Sequence, residues 1–132
     1  MASETSILKT VESLTQRNIN ALVVDSTVEA LRLLVSLVPS GSEVYCGTSE
    51  TLTSIGFPEY IHNNPGYRSL DREFESESDP QNKQELRRLS SISKYYVGSA
   101  QAISETGEVV VASSSGSQIS AYAFGAKHVI LV

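Results

Sequence analysis

The amino-acid sequence predicts a layered α/β fold in a single domain, with a mostly parallel sheet flanked by helices. The first 40 residues alternate helix, short apolar strand and helix with brief turns, which is typical of a parallel sheet covered by helices. Near the other end, the apolar runs 107–112 and 128–132 enclose a polar loop and a short helix, 119–124. The length of 132 residues suits one domain spanning residues 1–132.

Two helix signals in the first part of the chain lie on either side of an apolar run. Residues 4–17 place apolar side chains at helical spacing, with Ser3 as the predicted N-cap. Ser26 and Glu29 form a capping-box pattern that predicts a second helix, which ends near Pro39. The run 21–24 is too short for a buried helix, so we expect a buried strand there.

The middle of the chain, residues 57–79, carries two prolines, turn signals and an acidic patch, and these predict an exposed connection. Within it, Asp71 and Arg72 either address a ligand or form a solvated surface pair. Asp79 and Pro80 then begin a further helix. The side chains predicted to form its buried stripe are Leu86, Leu89 and Ile92.

Two hydroxyl-rich loops follow predicted strands and open onto helices. The first follows strand 43–46, and its free amides can hold a phosphate or carboxylate, although Thr48 or Ser49 could simply cap the next helix. The second, 113–118, either shares a cleft with the first, if strands 43–46 and 109–112 are neighbours, or is a flexible linker. The predicted ligand-binding residues are Gly47, Thr48, Ser49, Thr51, Ser99, Ser115, Gly116 and Ser117.

Composition excludes several classes of protein. The net charge of −5 and the lack of a dense Lys/Arg cluster argue against nucleic acid as a partner. No apolar run is long enough to span a bilayer. The single cysteine, Cys46, allows neither an internal disulfide nor an iron–sulfur cluster, and with only two histidines a structural zinc site is not expected. We therefore predict no cofactor or metal, and a cytoplasmic location because no signal-peptide pattern is present.

Catalytic residues are harder to assign. Cys46 precedes a helix N-terminus, so it is either an activated thiolate or a buried structural cysteine with no neighbouring base. Glu105, beside a glycine turn at Gly107, is the candidate general base, although glutamates in turns are mostly solvated. No set of residues combines a nucleophile, a base and an orienting group, so the sequence does not decide whether the protein is an enzyme.

Four segments together resemble the lactate-utilisation (LUD) domain family. They are 47–56, 98–108, 116–118 and 124–130, and their order and spacing match across most of residues 41–132. The resemblance implies a fold like that of the ribose-phosphate isomerase and CoA-transferase superfamily. It also implies a role in oxidation of L-lactate to pyruvate beside iron–sulfur and oxidoreductase partners.

Two departures from the family pattern bear on function. Relatives show an Asn-Arg pair where this chain has Ser117 and Gln118, so a fixed positive charge is missing. Relatives also continue past the last strand, whereas this sequence stops at Val132, so it is expected to be a shortened relative or an excerpt. Three functions follow: an accessory protein that binds a small anion or carboxylate, a sugar-phosphate isomerase-like or CoA-transferase-like enzyme, or a non-catalytic interaction module that could form oligomers.

Overall fold

The computed structural model describes residues 2–132, which form a layered α/β fold. Four parallel strands make a sheet, in the order Arg68–Ser69, Glu43–Cys46, Tyr95–Gly98 and His128–Leu131, and two further strands form a separate antiparallel pair. The helices are α1 Glu4–Gln16, α2 Thr27–Leu37, α3 Glu50–Ile55, α4 Phe57–Asn63, α5 Leu70–Ser76, α6 Pro80–Ser91 and α7 Ser117–Ser120. The strands are β1 Glu43–Cys46, β2 Arg68–Ser69, β3 Tyr95–Gly98, β4 Ala102–Ile103, β5 Val109–Val110 and β6 His128–Leu131. The predicted fold class, with its mostly parallel sheet flanked by helices, is confirmed.

The sheet separates two groups of side chains, because successive residues of a strand point to opposite faces. Val44 and Cys46 of β1, with Tyr95 and Val97 of β3, belong to the main apolar core. The other members of that core come from α2, the segments after it, α3 and α4: Ala30, Leu34, Val38, Leu52, Ile55, Phe57 and Ile61. One face of the sheet is therefore covered by three successive helices.

Tyrosine side chains pack on the opposite face. The rings of Tyr45 and Tyr96 lie 5.1 Å apart between centroids, and Tyr96 meets Tyr122 edge-on at 5.3 Å. Tyr122 belongs to a π-helical turn, Ala121–Gly125, that continues α7. The contact is close because a Cβ on Gly98 would overlap the Tyr122 hydroxyl, so only glycine is compatible with this packing.

Both predicted caps in the first part of the chain are confirmed. The Ser3 side chain accepts a hydrogen bond from the amide of Ser6, and that of Ser26 accepts from the amide of Glu29. The Glu29 carboxylate reaches back to the amide of Asp25 at 2.9 Å, one residue earlier than in the usual capping box. These local bonds explain why α1 and α2 begin where the sequence predicts.

The predicted strand at residues 21–24 is wrong. The segment pairs with no strand, and Leu22 and Val23 are 53% and 59% exposed. A strand needs a neighbour for its amides and carbonyls, and this segment forms no ladder with either edge strand of the sheet, β2 or β6. The apolar run alone therefore does not make this segment part of the sheet.

The predicted exposed connection at residues 57–79 is also wrong. This part of the chain contains α4, β2 and α5, and it buries Phe57, Ile61 and Leu70. Phe57 and Ile61 are four residues apart, which is the spacing of one helical face. Pro58 stands in the first turn of α4, where it starts the helix instead of breaking it.

The helix that begins at Asp79 is confirmed, but its predicted buried stripe is wrong at two positions. Leu89 is 42% exposed and Ile92 is 64% exposed, and Leu86 is only half-buried. Ser90 is fully buried instead, and its hydroxyl donates to the carbonyl of Arg87 at 2.6 Å. That backbone bond satisfies the buried hydroxyl, so a polar residue occupies the position that faces the sheet.

The last third of the chain is rearranged relative to expectation. The hairpin with Gly107 at positive φ is confirmed, but its second strand, Val109–Val110, pairs only with β4 and lies outside the parallel sheet. The predicted helix 119–124 starts at Ser117 and becomes the π-helical turn. The final strand is confirmed at His128–Leu131 and pairs with β3. None of the helices within residues 2–132 has the length and apolar character that crossing a bilayer requires.

Replacing Ile61 tests the corrected role of α4. Ile61 is 1% exposed, so Ile61→Ala is expected to lower the free energy of unfolding by about 2–5 kcal/mol through lost burial and the cavity left behind. Ile92→Ala, at an exposed position, is the control and should change it by less than about 0.5 kcal/mol. Urea unfolding followed by circular dichroism measures both. Equal losses for the two variants would contradict the assignment of Ile61 to the core.

Candidate functional site

The carboxyl ends of β1 and β3 lie side by side. The amide of Gly47, the first residue after β1, donates to the carbonyl of Val97 at 2.8 Å. The loop after β1 therefore begins next to the residues that follow β3, Gly98 and Ser99. In open α/β sheets this edge is the usual place for a ligand, because loops from neighbouring strands converge there.

The residue that brings the second loop to this edge is Gln118. A Cβ placed on Gly47 would lie 3.2 Å from the Gln118 side-chain nitrogen and 3.3 Å from the Tyr96 hydroxyl oxygen. Two hydroxyl-rich loops thus approach each other at Gly47, although β5 lies in a different sheet from β1. A Cβ at this position would require Gln118 or Tyr96 to move by a few tenths of an ångström.

Tyr96 is a buried side chain with an uncommitted hydroxyl. The residue is only 1% exposed, and its hydroxyl makes no hydrogen bond within residues 2–132. The hydroxyl oxygen itself still reaches solvent, because the fully buried side-chain oxygens without a partner in this part of the chain are those of Ser42 and Ser93. Burial raises the pKa of the Tyr96 phenol well above its ordinary value, and the neighbouring Tyr45 adds to the effect. Tyr96 therefore keeps its proton at neutral pH and remains available as a hydrogen-bond donor.

Tyr122 fixes the chain after β3. Its hydroxyl donates to the carbonyl of Ser99 at 3.3 Å, and burial raises its pKa as well. Ser99 was predicted from sequence as a ligand-binding residue, and its carbonyl is thereby held by the π-helical turn. Tyr122 thus positions the backbone at the end of β3 from the face of the sheet that lies opposite the main core.

The hydroxyls of the two loops differ in how far they are already engaged. Ser49 caps α3 by accepting from the amide of Leu52 at 3.2 Å, which is the plainer of its two predicted roles. Ser115 and Ser117 share a hydrogen bond of 2.9 Å between their side chains. Thr48 and Thr51 are exposed, and Gly116 has a φ of 75° at the start of α7. Ligand binding by these residues stays a prediction.

Glu105 lies at the turn between β4 and β5, and α1 packs against that turn. Its carboxylate accepts a hydrogen bond from the Ser6 hydroxyl and pairs with Lys9 at 3.6 Å, and its backbone carbonyl accepts from Ser13 at 2.8 Å. The bond from Ser6, followed by the charge of Lys9, lowers the pKa of Glu105. A lower pKa makes a weaker base. The proposed role of Glu105 as a general base stays a prediction, and these contacts give it a second, structural role.

Of the two alternatives predicted for Cys46, the structure shows the buried structural cysteine. It is 6% exposed and forms part of the main core. Burial raises the pKa of the thiol, and the negative charge of Asp71 raises it further. Both effects disfavour the thiolate, which is the nucleophilic form.

Sequence patterns missed three side chains at this edge: Tyr96, Gln118 and Tyr122. The available signal was the alternation along β3, which places Tyr96 on the face opposite Tyr95. Contacts of Gln118 and Tyr122 across the sheet edge depend on the π-helical turn, which no sequence pattern predicted. Within residues 2–132, no cluster of three or more His, Cys, Asp or Glu side chains could hold a metal ion.

Comparison with known proteins identifies one family. The family model described as the LUD domain matches residues 7–132, which is nearly the whole chain. The resemblance seen in the motifs at residues 47–56 and 98–130 is thereby confirmed. No curated protein and no solved structure matches the chain.

Acid should weaken the turn between β4 and β5 and, to a smaller extent, its contact with α1. Hydrogen bonds from Ser104 and Thr106 lower the pKa of Glu108 to about 2, and Arg17 contributes from α1 at 3.1 Å. Because the folded-state pKa lies below the unfolded value, this stabilisation is present above about pH 4.5 and is lost as the pH falls towards 2. Urea midpoints of the wild type and Glu108→Gln should therefore differ most at pH 6 and converge near pH 2. A difference independent of pH would contradict the assignment.

Proposed function

The chain belongs to the LUD domain family, which associates it with lactate utilisation in general, and we propose that it is an accessory component that binds a small carboxylate. The proposed site is the edge where the loop after β1 meets Gln118. It combines the residues predicted from sequence with Tyr96 and Gln118, whose hydroxyl and side-chain nitrogen lie next to Gly47 and make no hydrogen bond within residues 2–132. This pair of free polar groups, with the hydroxyl carried on a buried ring, is the observation on which the proposal depends.

The polar side chains at this edge favour an acceptor as ligand. Tyr96 contributes a protonated phenol and Gln118 an amide nitrogen close to the same backbone position. Carboxylate oxygens are hydrogen-bond acceptors only, so they suit a wall of neutral donors. None of the residues proposed for the site is a lysine or an arginine. We therefore expect a small monocarboxylate such as lactate or pyruvate to be preferred over a polyphosphate, which requires fixed positive charge.

An accessory role fits the chemistry of the nearby residues. Cys46 is held as a thiol, and no nucleophile, base and orienting group were found together at this edge. Oxidation of lactate would then occur on partner proteins that carry iron–sulfur or oxidoreductase centres, and the chain would present or retain the carboxylate in the cytoplasm. The partners and the location are parts of the proposal.

A second candidate is a non-catalytic interaction module. Phe124 in the π-helical turn is 94% exposed, and Ile92 at the end of α6 is 64% exposed. The residues next to them in the chain, Gly125 and Ser91, are in close contact, since a Cβ on Gly125 would overlap the carbonyl oxygen of Ser91. Exposed large apolar side chains at one place on a surface are typical of protein contacts.

Ligand binding is best measured by isothermal titration calorimetry with L-lactate, pyruvate and inorganic phosphate. We expect saturable binding of a monocarboxylate, with an affinity at least fivefold lower in Tyr96→Phe, which removes only the hydroxyl. Tyr60→Phe is the matched control on α4 and should bind within twofold of the wild type. Thr48→Val tests the first loop without removing the cap that Ser49 provides for α3.

Three outcomes separate the candidates. Loss of binding in Tyr96→Phe with an unchanged melting temperature supports the carboxylate site. Equal binding by Tyr96→Phe and Tyr60→Phe contradicts it. No binding of any ligand by a folded chain, together with self-association that Phe124→Ser abolishes in sedimentation, supports the interaction module instead.

A further inference from the structure

A second cleft lies beside the edge strand β2. It has a volume of about 380 Å³ and lies between the end of α4 and the start of α5. The side chains that matter to its chemistry are His62, Asn64, Arg68, Arg72 and Glu73. None of them belongs to the site proposed at Gly47, so this cleft is independent of the proposed carboxylate function.

A buried carboxylate orients a histidine in this cleft. Asp71 is 8% exposed, and its Oδ2 lies 2.5 Å from Nε2 of His62, whose side chain remains 24% exposed. The other oxygen, Oδ1, accepts from the Ser69 hydroxyl at 2.8 Å. Both carboxylate oxygens of Asp71 are therefore engaged, and it is not the solvated partner of Arg72 that was one predicted alternative. Because Nε2 is used, Nδ1 is the ring nitrogen left for a ligand.

The arginine that follows is held by the backbone of α4. Arg72 donates through Nη1 to the carbonyl of His62 at 2.7 Å, in the last turn of that helix. Its Nε and Nη2 make no hydrogen bond within residues 2–132, so part of the guanidinium is uncommitted. A guanidinium fixed on one side in this way loses less freedom when it binds a second group.

The acceptors in the wall are already used by the protein itself. Both carboxylate oxygens of Glu73 accept from Arg68, at 2.9 and 3.0 Å, and Glu43 takes a third bond from the same guanidinium. The side-chain oxygen of Asn64 accepts from the amide of Gly66 at 2.9 Å. What the cleft offers a ligand is therefore a set of donors, with Arg72 as the charged one.

We propose that this cleft is a binding site for a small oxyanion, a carboxylate or a phosphate group, held by Arg72 and His62. Arg72 supplies the free N–H groups of Nε and Nη2 and a positive charge. His62, fixed by Asp71, supplies Nδ1, which donates when the ring is protonated. Arg68 adds no net positive charge, because Glu73 and Glu43 both pair with it and their two negative charges exceed its one, so the attraction depends on Arg72 and His62.

The test is a titration of the full chain with inorganic phosphate, and separately with succinate, followed by amide nuclear magnetic resonance at constant ionic strength. We expect saturable shifts at His62 and at residues 69–73. Arg72→Gln should weaken the binding at least tenfold. Arg88→Gln removes the same charge from an exposed position on α6 and should change it by less than twofold. Arg72→Lys keeps the positive charge but lacks the planar guanidinium, so its affinity should lie between those of Arg72→Gln and Arg88→Gln.

Phosphate represents a phosphate group and succinate a carboxylate, and the one that binds more tightly identifies the class of oxyanion that the cleft prefers. Shifts confined to residues 47–49 would overturn this inference while leaving the carboxylate site at Gly47 intact. Equal weakening by Arg72→Gln and Arg88→Gln would also overturn it, because it would mean general screening of charge. His62→Gln, with a dispersed spectrum that shows a folded chain, should weaken binding as well, and unchanged binding would exclude His62 from the site.

Discussion

The parallel pairing of β1 with β3 is the constraint on which the rest of the structure depends. Its register, Val44 with Tyr95 and Cys46 with Val97, brings the two strand ends together and lets the amide of Gly47 bond across to β3. The same register sets one row of side chains in the main core and the other row against the tyrosines. A shift by one residue would exchange the two faces, placing Tyr96 in the apolar core and Tyr95 and Val97 against the tyrosines.

Glycine matters where β1 and β3 end, because side chains from β3, α7 and the π-helical turn come close to the backbone there. Gly47 lies against Tyr96 and Gln118, and Gly98 lies against the hydroxyl of Tyr122. In both places a Cβ would compete for the space of an aromatic or amide side chain. The small residues that sequence inspection associated with a ligand thus have a packing role as well, and the two roles coincide at the end of the sheet.

Acidic side chains serve the architecture in two different ways. Glu105 and Glu108 lie on an exposed turn and join the β4–β5 hairpin to α1 through Ser6, Lys9 and Arg17. Asp71 is buried and joins α5 to α4 through His62. Exposed pairs of the first kind contribute little individually, whereas a buried carboxylate requires its partners, since an unpaired one would be costly.

What the sequence determined by itself was local: the starts of α1, α2, α3 and α6, the strands β1 and β6, and the turn at Gly107. The helix starts and the turn depend on bonds between residues a few positions apart, such as Ser26 with the amide of Glu29. The two strands could be predicted from their short apolar runs. Family membership could be predicted too, because glycine and turn spacing survive in the chain. Tertiary structure decided the rest. The run 21–24 pairs with no strand, Ile92 faces solvent, and Gln118 reaches Gly47 only through packing that joins distant segments. Those outcomes depend on which neighbours are free in space, and a local pattern carries no information about that.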